Sequence, residues 1–264
     1  MKLTLFTSNQ PRHLALIERA SRIAESVFVV QECNTVFPGQ VQDFYARSPV
    51  MQRYFSNVIA AELERFGRPR FLPANVHQLA LRMGDASRLE LEALAPALEA
   101  DHYVVFGASY LKGPLVDFLV ERRCYNIHMG ISPYYRGSSC NFWALYDRNP
   151  GLVGATVHLL SRGLDSGPML FHALPDADEA DPFRLGMRAV ESAQAALVEA
   201  LASGEILGME PLPQDKQHEI RYSRHRDFTD AVAEEYLDRA HCASDFARAL
   251  RERPMQDFLR PRVR

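Results

Sequence analysis

The sequence predicts an α/β chain: a mostly parallel sheet with flanking helices, followed by a short C-terminal extension. Two observations predict it. Within the first thirty residues an apolar run, a polar turn, a helically spaced segment and a second apolar run follow one another, the order of a βαβ unit. Further on, residues 103–106 are apolar throughout, as a parallel strand covered on both faces must be.

The elements follow in order. Residues 2–7 form the first strand, closed by the polar cluster Ser8, Asn9, Gln10 and Pro11. Leu14, Leu16, Ile17 and Ala20 then recur at helical spacing, and residues 27–31 give a second strand, parallel to the first because a crossover helix separates them. Residues 44–66 have apolar positions at helical spacing and stop at Gly67, Arg68 and Pro69. After the strand at 103–106 come Gly107, a helix at 115–120, a strand at 124–128 and a helix at 138–146. Two strands, 155–160 and 169–174, flank the turn-rich stretch 161–167. Asp181 and Pro182 supply an N-cap and a first-turn proline, and the alanine-rich helix they open ends before Gly204. Beyond Gly204 the pattern changes: 209–213 is broken by proline, 221–226 is basic and 228–237 is amphipathic. The chain is therefore read as a catalytic domain at 1–204 and an extension at 205–264.

Composition narrows the function. With 47% hydrophobic and 24% charged residues the chain builds a sizeable core, which excludes disorder as a whole-chain description. A formal charge of -3 is a poor footprint for holding a polyanion, so no nucleic-acid partner is expected. Cys33, Cys124, Cys140 and Cys242 are widely spaced, form no CxxC pair and accompany no histidine cluster, so they are read as reduced thiols and no metal is expected. No apolar stretch is long enough for a signal-peptide core or a membrane span, so a cytoplasmic protein without a membrane partner is expected.

Neither GxGxxG nor GxxxxGK[ST] occurs, which removes the usual support for a dinucleotide or nucleoside triphosphate site. What remains is Asn126-Ile127-His128. On a strand, period-two alternation places the amide and the imidazole on one face, at the C-terminal end where open α/β sheets build their sites. Taken alone, an N-x-H run is also common in strands of no special chemistry, and Asp165 is also an ordinary turn residue.

The combined text, NIHMGISPYYRG followed by GATVHLLSRGLDSGPML, resembles the formyltransferases that use 10-formyltetrahydrofolate, whose run is NxHPSLLPxYRG followed by a strand and a D-x-G turn. The resemblance covers about residues 1–204 and implies a Rossmann-like fold. It also implies that Asn126, His128 and Asp165 are the catalytic residues. Formyl transfer to an amine develops a negative oxygen, so a neutral amide or protonated imidazole must face it, and His128 suits the proton traffic near neutrality. By the same resemblance the folate binds at the loop Phe106, Gly107, Ser109, Tyr110, Leu111 and Lys112, while Asn9, Tyr134, Tyr135 and Arg136 line the substrate cleft. Met129, Gly130, Ile131 and Ser132 depart from the family's Pro-Ser-Leu-Leu, which bears on the loop shape beside the acceptor. His158 and His172 read as core or edge histidines.

Among the family's acceptors, transfer RNA is disfavoured by the acidic chain and small extension, and glycinamide ribonucleotide by the absence of glycines after the first strand. The expected acceptor is a small-molecule amine, most like the amino group of a nucleoside-diphosphate amino sugar, with Arg221, Arg224 and Arg226 as candidates to neutralise the diphosphate. A free amine from siderophore or antibiotic synthesis is the runner-up, and a catalytically inactive Rossmann-like binding protein is the contrasting class. Assembly as a homodimer is left open.

Overall fold

The computed structural model describes residues 1–35, 48–176, 181–239 and 243–264. Its first strand, β1 (Lys2–Thr7), is buried from Leu3 onward, and α1 (Pro11–Ser21) buries Leu14, Leu16, Ile17 and Ala20 as their spacing requires. β2 (Ser26–Cys33) returns parallel to β1, with Leu3 opposite Val27 and Leu5 opposite Val29. This is the expected βαβ unit. α2 (Pro49–Phe66) starts at Ser48, whose hydroxyl accepts the Met51 N–H, and ends where Gly67 takes φ 76°. The helical residues expected at 44–47 and Cys242 lie outside the described residues. β3 (Val76–Arg82) was not expected. It is the sheet edge, with no side chain fully buried, so no apolar alternation announces it.

β4 (His102–Phe106), α3 (Gly113–Glu121) and β5 (Tyr125–His128) continue the parallel set on the other side of β1. A small strand, β6 (Tyr135–Gly137), and α4 (Cys140–Tyr146) follow. The direction then reverses: β7 (Ala155–Leu159) lies antiparallel to β5, and β8 (Met169–Leu174) antiparallel to β7. α5 (Pro182–Ala202) is capped by Asp181, which accepts the N–H groups of Phe183 and Arg184, and it buries Leu185, Val190, Ala193 and Leu197 against the sheet and its neighbouring helices.

Residues 205–264 fold back onto this body. Leu212 pairs with Met169 through both backbone bonds, and β9 (Arg221–Ser223) joins β6 in parallel. α6 (Asp230–Asp238) packs on α2, and α7 (Ala243–Arg251) packs beside the turn at 150–152. β10 (Arg262–Val263) becomes the edge of the main sheet, parallel to β8. The Arg253 side chain donates to the carbonyls of Gly151 and Pro175, and its burial lowers its pKa to about 10. The sheet order is β10-β8-β7-β5-β4-β1-β2-β3. Because the chain leaves β1 for β2 on one side and reaches β4 on the other, a crevice opens at the C-terminal ends of β1, β4 and β5, the position at which such sheets bind ligands.

Candidate active site

β5 ends in that crevice, and its alternation puts Asn126 and His128 on one face as expected. The turn after β7 brings Asp165 between them. The Asp165 carboxylate lies 3.2 Å from Asn126 Nδ2 through one oxygen and 3.3 Å from His128 Nδ1 through the other. Residues 39 apart in sequence are thus joined by one carboxylate. The other ring nitrogen of His128, Nε2, lies 3.4 Å from the Tyr135 carbonyl. Both nitrogens face acceptors, so the imidazolium is the form this environment suits.

The electrostatics agree. Burial by itself would push the His128 pKa down, but the adjacent Asp165 carboxylate and the Cys140 thiol raise it, and the net position is well above the ordinary histidine value. For Asp165, burial would raise the pKa, yet the charge of His128 and its hydrogen bond hold it well below the usual carboxylate range. The pair is a buried imidazolium–carboxylate. Cys140 was read only as a reduced thiol. Its proximity to His128 depends on Gly130, since a Cβ there would lie 2.5 Å from Cys140 Cβ and 2.8 Å from His128 Nε2.

The Asp165 turn is held from several sides. Asp165 itself has φ 45°, a conformation aspartate tolerates better than most residues. Gln214, from beyond residue 204, donates to the carbonyls of Asp165 and Gly167 at 2.8 and 2.9 Å. A Cβ on Gly167 would meet the Leu159 carbonyl oxygen at 1.7 Å and His158 Nδ1 at 3.0 Å. Gly167→Ala is therefore expected to cost about 3 kcal/mol, the upper end for overpacking, and to lower the melting temperature by roughly 10 °C. A thermal melt unchanged from wild type would show that the Leu159 backbone yields freely.

Two cavities meet at His128, Met129 and Arg12. The first, about 320 Å³, is walled by the loop 106–111 and the turn residues Ser161, Gly163, Leu164 and Asp165, with Val105, Val116, Ile127 and Leu160 among its apolar residues. Phe106, Gly107, Ser109, Tyr110 and Leu111 line it as expected; Lys112 does not, and donates instead its backbone N–H to Ser87 Oγ. Glu32, which the sequence reading did not single out, anchors this loop. Its buried carboxylate accepts the N–H groups of Gly84, Ala86 and Ser109 and the Ser109 hydroxyl. His13 was also missed. Its ring lies 5.1 Å from that of Phe106, tilted by 58°, and its burial, then Arg12, keeps its pKa well below the ordinary value. The second cavity, about 360 Å³, has an aromatic wall of Tyr54, Phe55, Phe142, Phe183, Phe228 and Tyr236.

The other expected cleft residues are engaged elsewhere. Asn9 closes a loop by a pair of bonds with the Asn34 backbone. Tyr134 donates to the Asp257 carbonyl, Tyr135 is buried with its hydroxyl on Asp147 and Asn149, and Arg136 pairs with Glu219. All three tie β6 and its approach to neighbouring structure, and their side chains line neither cavity. Arg221 makes a two-pronged bond to Asp147 and stacks over Trp143. His172 is a core histidine, its ring bonded to the Ser132 carbonyl and the Leu259 N–H, with burial lowering its pKa to about 4. His158, read likewise as a core or edge histidine, is buried but lies against Asn126, its Nε2 2.9 Å from the amide nitrogen. Among the described residues, no three His, Cys, Asp or Glu side chains come together to hold a metal ion, and no helix is long and apolar enough to cross a membrane.

Residues 85–201, which carry both motifs, match the family model described as formyl transferase. A methionyl-tRNA formyltransferase from Synechococcus sp. (strain JA-3-3Ab) is 30% identical over 150 residues, 56% of this chain and 46% of the relative. The chain spans about half the length of the sequence relatives it matches. In fold it is similar to a sugar N-formyltransferase from a Shewanella species, with TM-score 0.53 and 17% identity over 95% of this chain and 87% of that one. It is similar also to glycinamide ribonucleotide transformylase 1 from Symbiobacterium toebii, with TM-score 0.51 and 18% identity over 81% and 94%. These likenesses bear out the α/β fold with its mostly parallel sheet.

Proposed function

We propose that this chain, whose residues 85–201 form a formyl transferase domain, moves a formyl group from 10-formyltetrahydrofolate to a primary amine, with Asn126, His128 and Asp165 as the catalytic residues. The observation that carries the proposal is the His128–Asp165 ion pair set where two cavities of different character meet. The first cavity suits the folate: a flat heteroaromatic ring can enter between apolar side chains and the backbone of the loop 107–111. The second suits the acceptor.

The donor supplies a formyl carbon already activated on nitrogen. His128, as imidazolium, donates a hydrogen bond to the carbonyl oxygen as negative charge grows there, gives a proton to the departing folate nitrogen, and is recharged by the proton that the attacking amine sheds. Asp165 accepts from His128 Nδ1, favours the charged ring and fixes its orientation. Arg12, at the junction of the cavities, is tied to Glu62 at 2.7 Å, so it lends shape and local potential more than a free charge.

For the acceptor we retain the amino group of a nucleotide-linked amino sugar. Aromatic walls favour the apolar faces of a pyranose or base, and the sugar N-formyltransferase of similar fold handles a sugar. Residues 1–204 then supply the triad and folate cavity, and 205–264 complete the acceptor cavity through Phe228 and Tyr236. With Arg221 committed to Asp147, only the exposed Arg224 and Arg226 remain of the three arginines proposed to meet a diphosphate. Tetrahydrofolate release, measured with nucleotide-linked 3-amino and 4-amino sugars, free small amines and charged methionyl-tRNA, should be fastest with the nucleotide-linked sugars. A faster rate with either other class would replace the acceptor and leave formyl transfer standing.

A further inference from the structure

The hydrogen-bond pattern around His158 determines which end of the Asn126 amide faces the reactants. His158 Nδ1 lies 2.8 Å from the Leu159 carbonyl, which can only accept, so Nδ1 carries a proton. Nε2 lies 2.9 Å from the side-chain amide atom of Asn126 and 3.8 Å from Asp165 Oδ1, beyond hydrogen-bond distance, and that same oxygen lies 3.2 Å from the amide atom; a proton on Nε2 would call for the Asn126 oxygen there, set against the carboxylate, so Nε2 keeps its lone pair. Only the NH₂ end satisfies both neighbours. The reversed amide would set its oxygen against two acceptors in a buried site, two unmade hydrogen bonds. With both N–H groups engaged, the Asn126 carbonyl oxygen is the atom left to face the first cavity, whose wall includes Asn126.

We propose that His158 is a positioning residue that holds the Asn126 carbonyl toward the reactants, so that Asn126 accepts a hydrogen bond from the attacking amine instead of donating one to the formyl oxygen. This deepens the proposed formyl transfer and rests on it. It also reassigns Asn126 from the oxyanion-facing donor that the family resemblance suggests. An amine approaching the formyl carbon has N–H bonds and a lone pair; one N–H bonded to Asn126 Oδ1 turns the lone pair toward that carbon. Negative charge on the formyl oxygen is then the business of His128, whose proton-bearing ring borders both cavities.

Two measurements test it. Long-range ¹H–¹⁵N spectra of the full chain, with the His158 signals identified by their loss in His158→Gln, should show the Nδ1–H tautomer; an Nε2–H ring overturns the proposal. In kinetics, His158→Leu fills the space without an acceptor, whereas His158→Gln offers an amide oxygen at similar reach. The leucine variant should lose about tenfold or more in kcat, with the KM for the formyl donor nearly unchanged, and the glutamine variant should recover most of the loss. In an Asn126→Ala background the leucine substitution should have no further effect, because its action passes through Asn126. Equal turnover by the two variants, or a full tenfold loss in the Asn126→Ala background, also overturns it. If the wild-type chain moves no formyl group to any amine, the reaction assignment fails, and the tautomer still decides the amide's orientation.

Discussion

Asp165→Asn should lower formyl-transfer turnover by roughly 10³-fold, within the range for losing a positioned acid–base group or an oxyanion donor, while folate binding changes far less. The substitution keeps the shape of the side chain, and asparagine tolerates the left-handed backbone at this position, so the turn itself survives. What is lost is the charge. With it goes the main influence that raises the His128 pKa, and burial then pushes the ring toward its neutral form. A neutral His128 stabilises a growing oxyanion poorly. Single-turnover formyl transfer with saturating donor separates this from binding. A variant within threefold of wild type would remove Asp165 from the mechanism, whatever its geometry.

Asp165→Asn should also change how stability depends on pH, because the pair raises the His128 pKa and lowers that of Asp165. His128 has a raised pKa, so its contribution is complete below the ordinary histidine value and is lost as pH rises through the folded-state value. Asp165 has a depressed pKa, so its contribution is present above the ordinary carboxylate value and is lost as pH falls through the folded-state value. The pair is therefore most stabilising between those limits, across the mildly acidic to neutral range. Removing one partner of a buried pair costs about 3–5 kcal/mol. The gap between wild type and Asp165→Asn in urea unfolding should accordingly be largest there and narrow in alkali.

That Asn126, His128 and Asp165 come together was legible because these residues obey simple rules. Asn126 and His128 share a face by strand alternation, and Asp165 sits on a turn announced by Gly163 and Gly167. The loop that walls the first cavity was legible as the glycine-led segment after an apolar strand. Side chains whose partners are remote were not. Tyr134, Tyr135 and Arg136 look like cleft residues in a loop, but β9, more than eighty residues on, draws that loop into a second sheet. His158 lies on a buried strand like any core histidine, and only pairing in register, Asn126 opposite His158, reveals its part. Glu32 looks like a charged strand end until Gly84, Ala86 and Ser109 converge on it. β3, β9 and β10 escape because an exposed edge or a run of two or three residues carries no hydrophobic period.

Cutting the chain after residue 204 should abolish folding, not merely acceptor binding. Change of composition suggested a boundary there, with a domain before it able to bind folate alone. The packing argues for a larger effect. Ile206, Met209, Tyr236, Phe246, Leu250 and Phe258 are all buried, and at about 1.5–3 kcal/mol for each such side chain their loss amounts to roughly 10 kcal/mol or more. That rivals the whole stability of a typical domain, about 5–15 kcal/mol. The cut also strips β6 and β8 of their partners β9 and β10, leaves the Gly151 and Pro175 carbonyls without Arg253, and frees the Asp165 turn from Gln214. The shortened chain should be recovered insoluble, or soluble without a cooperative melt. A cooperative transition with retained folate binding would establish 1–204 as an independent domain. Gln214→Ala isolates the last of these contacts: it should leave the fold intact and lower turnover alone, since it releases only the carbonyls of Asp165 and Gly167 and with them the aim of the carboxylate at His128.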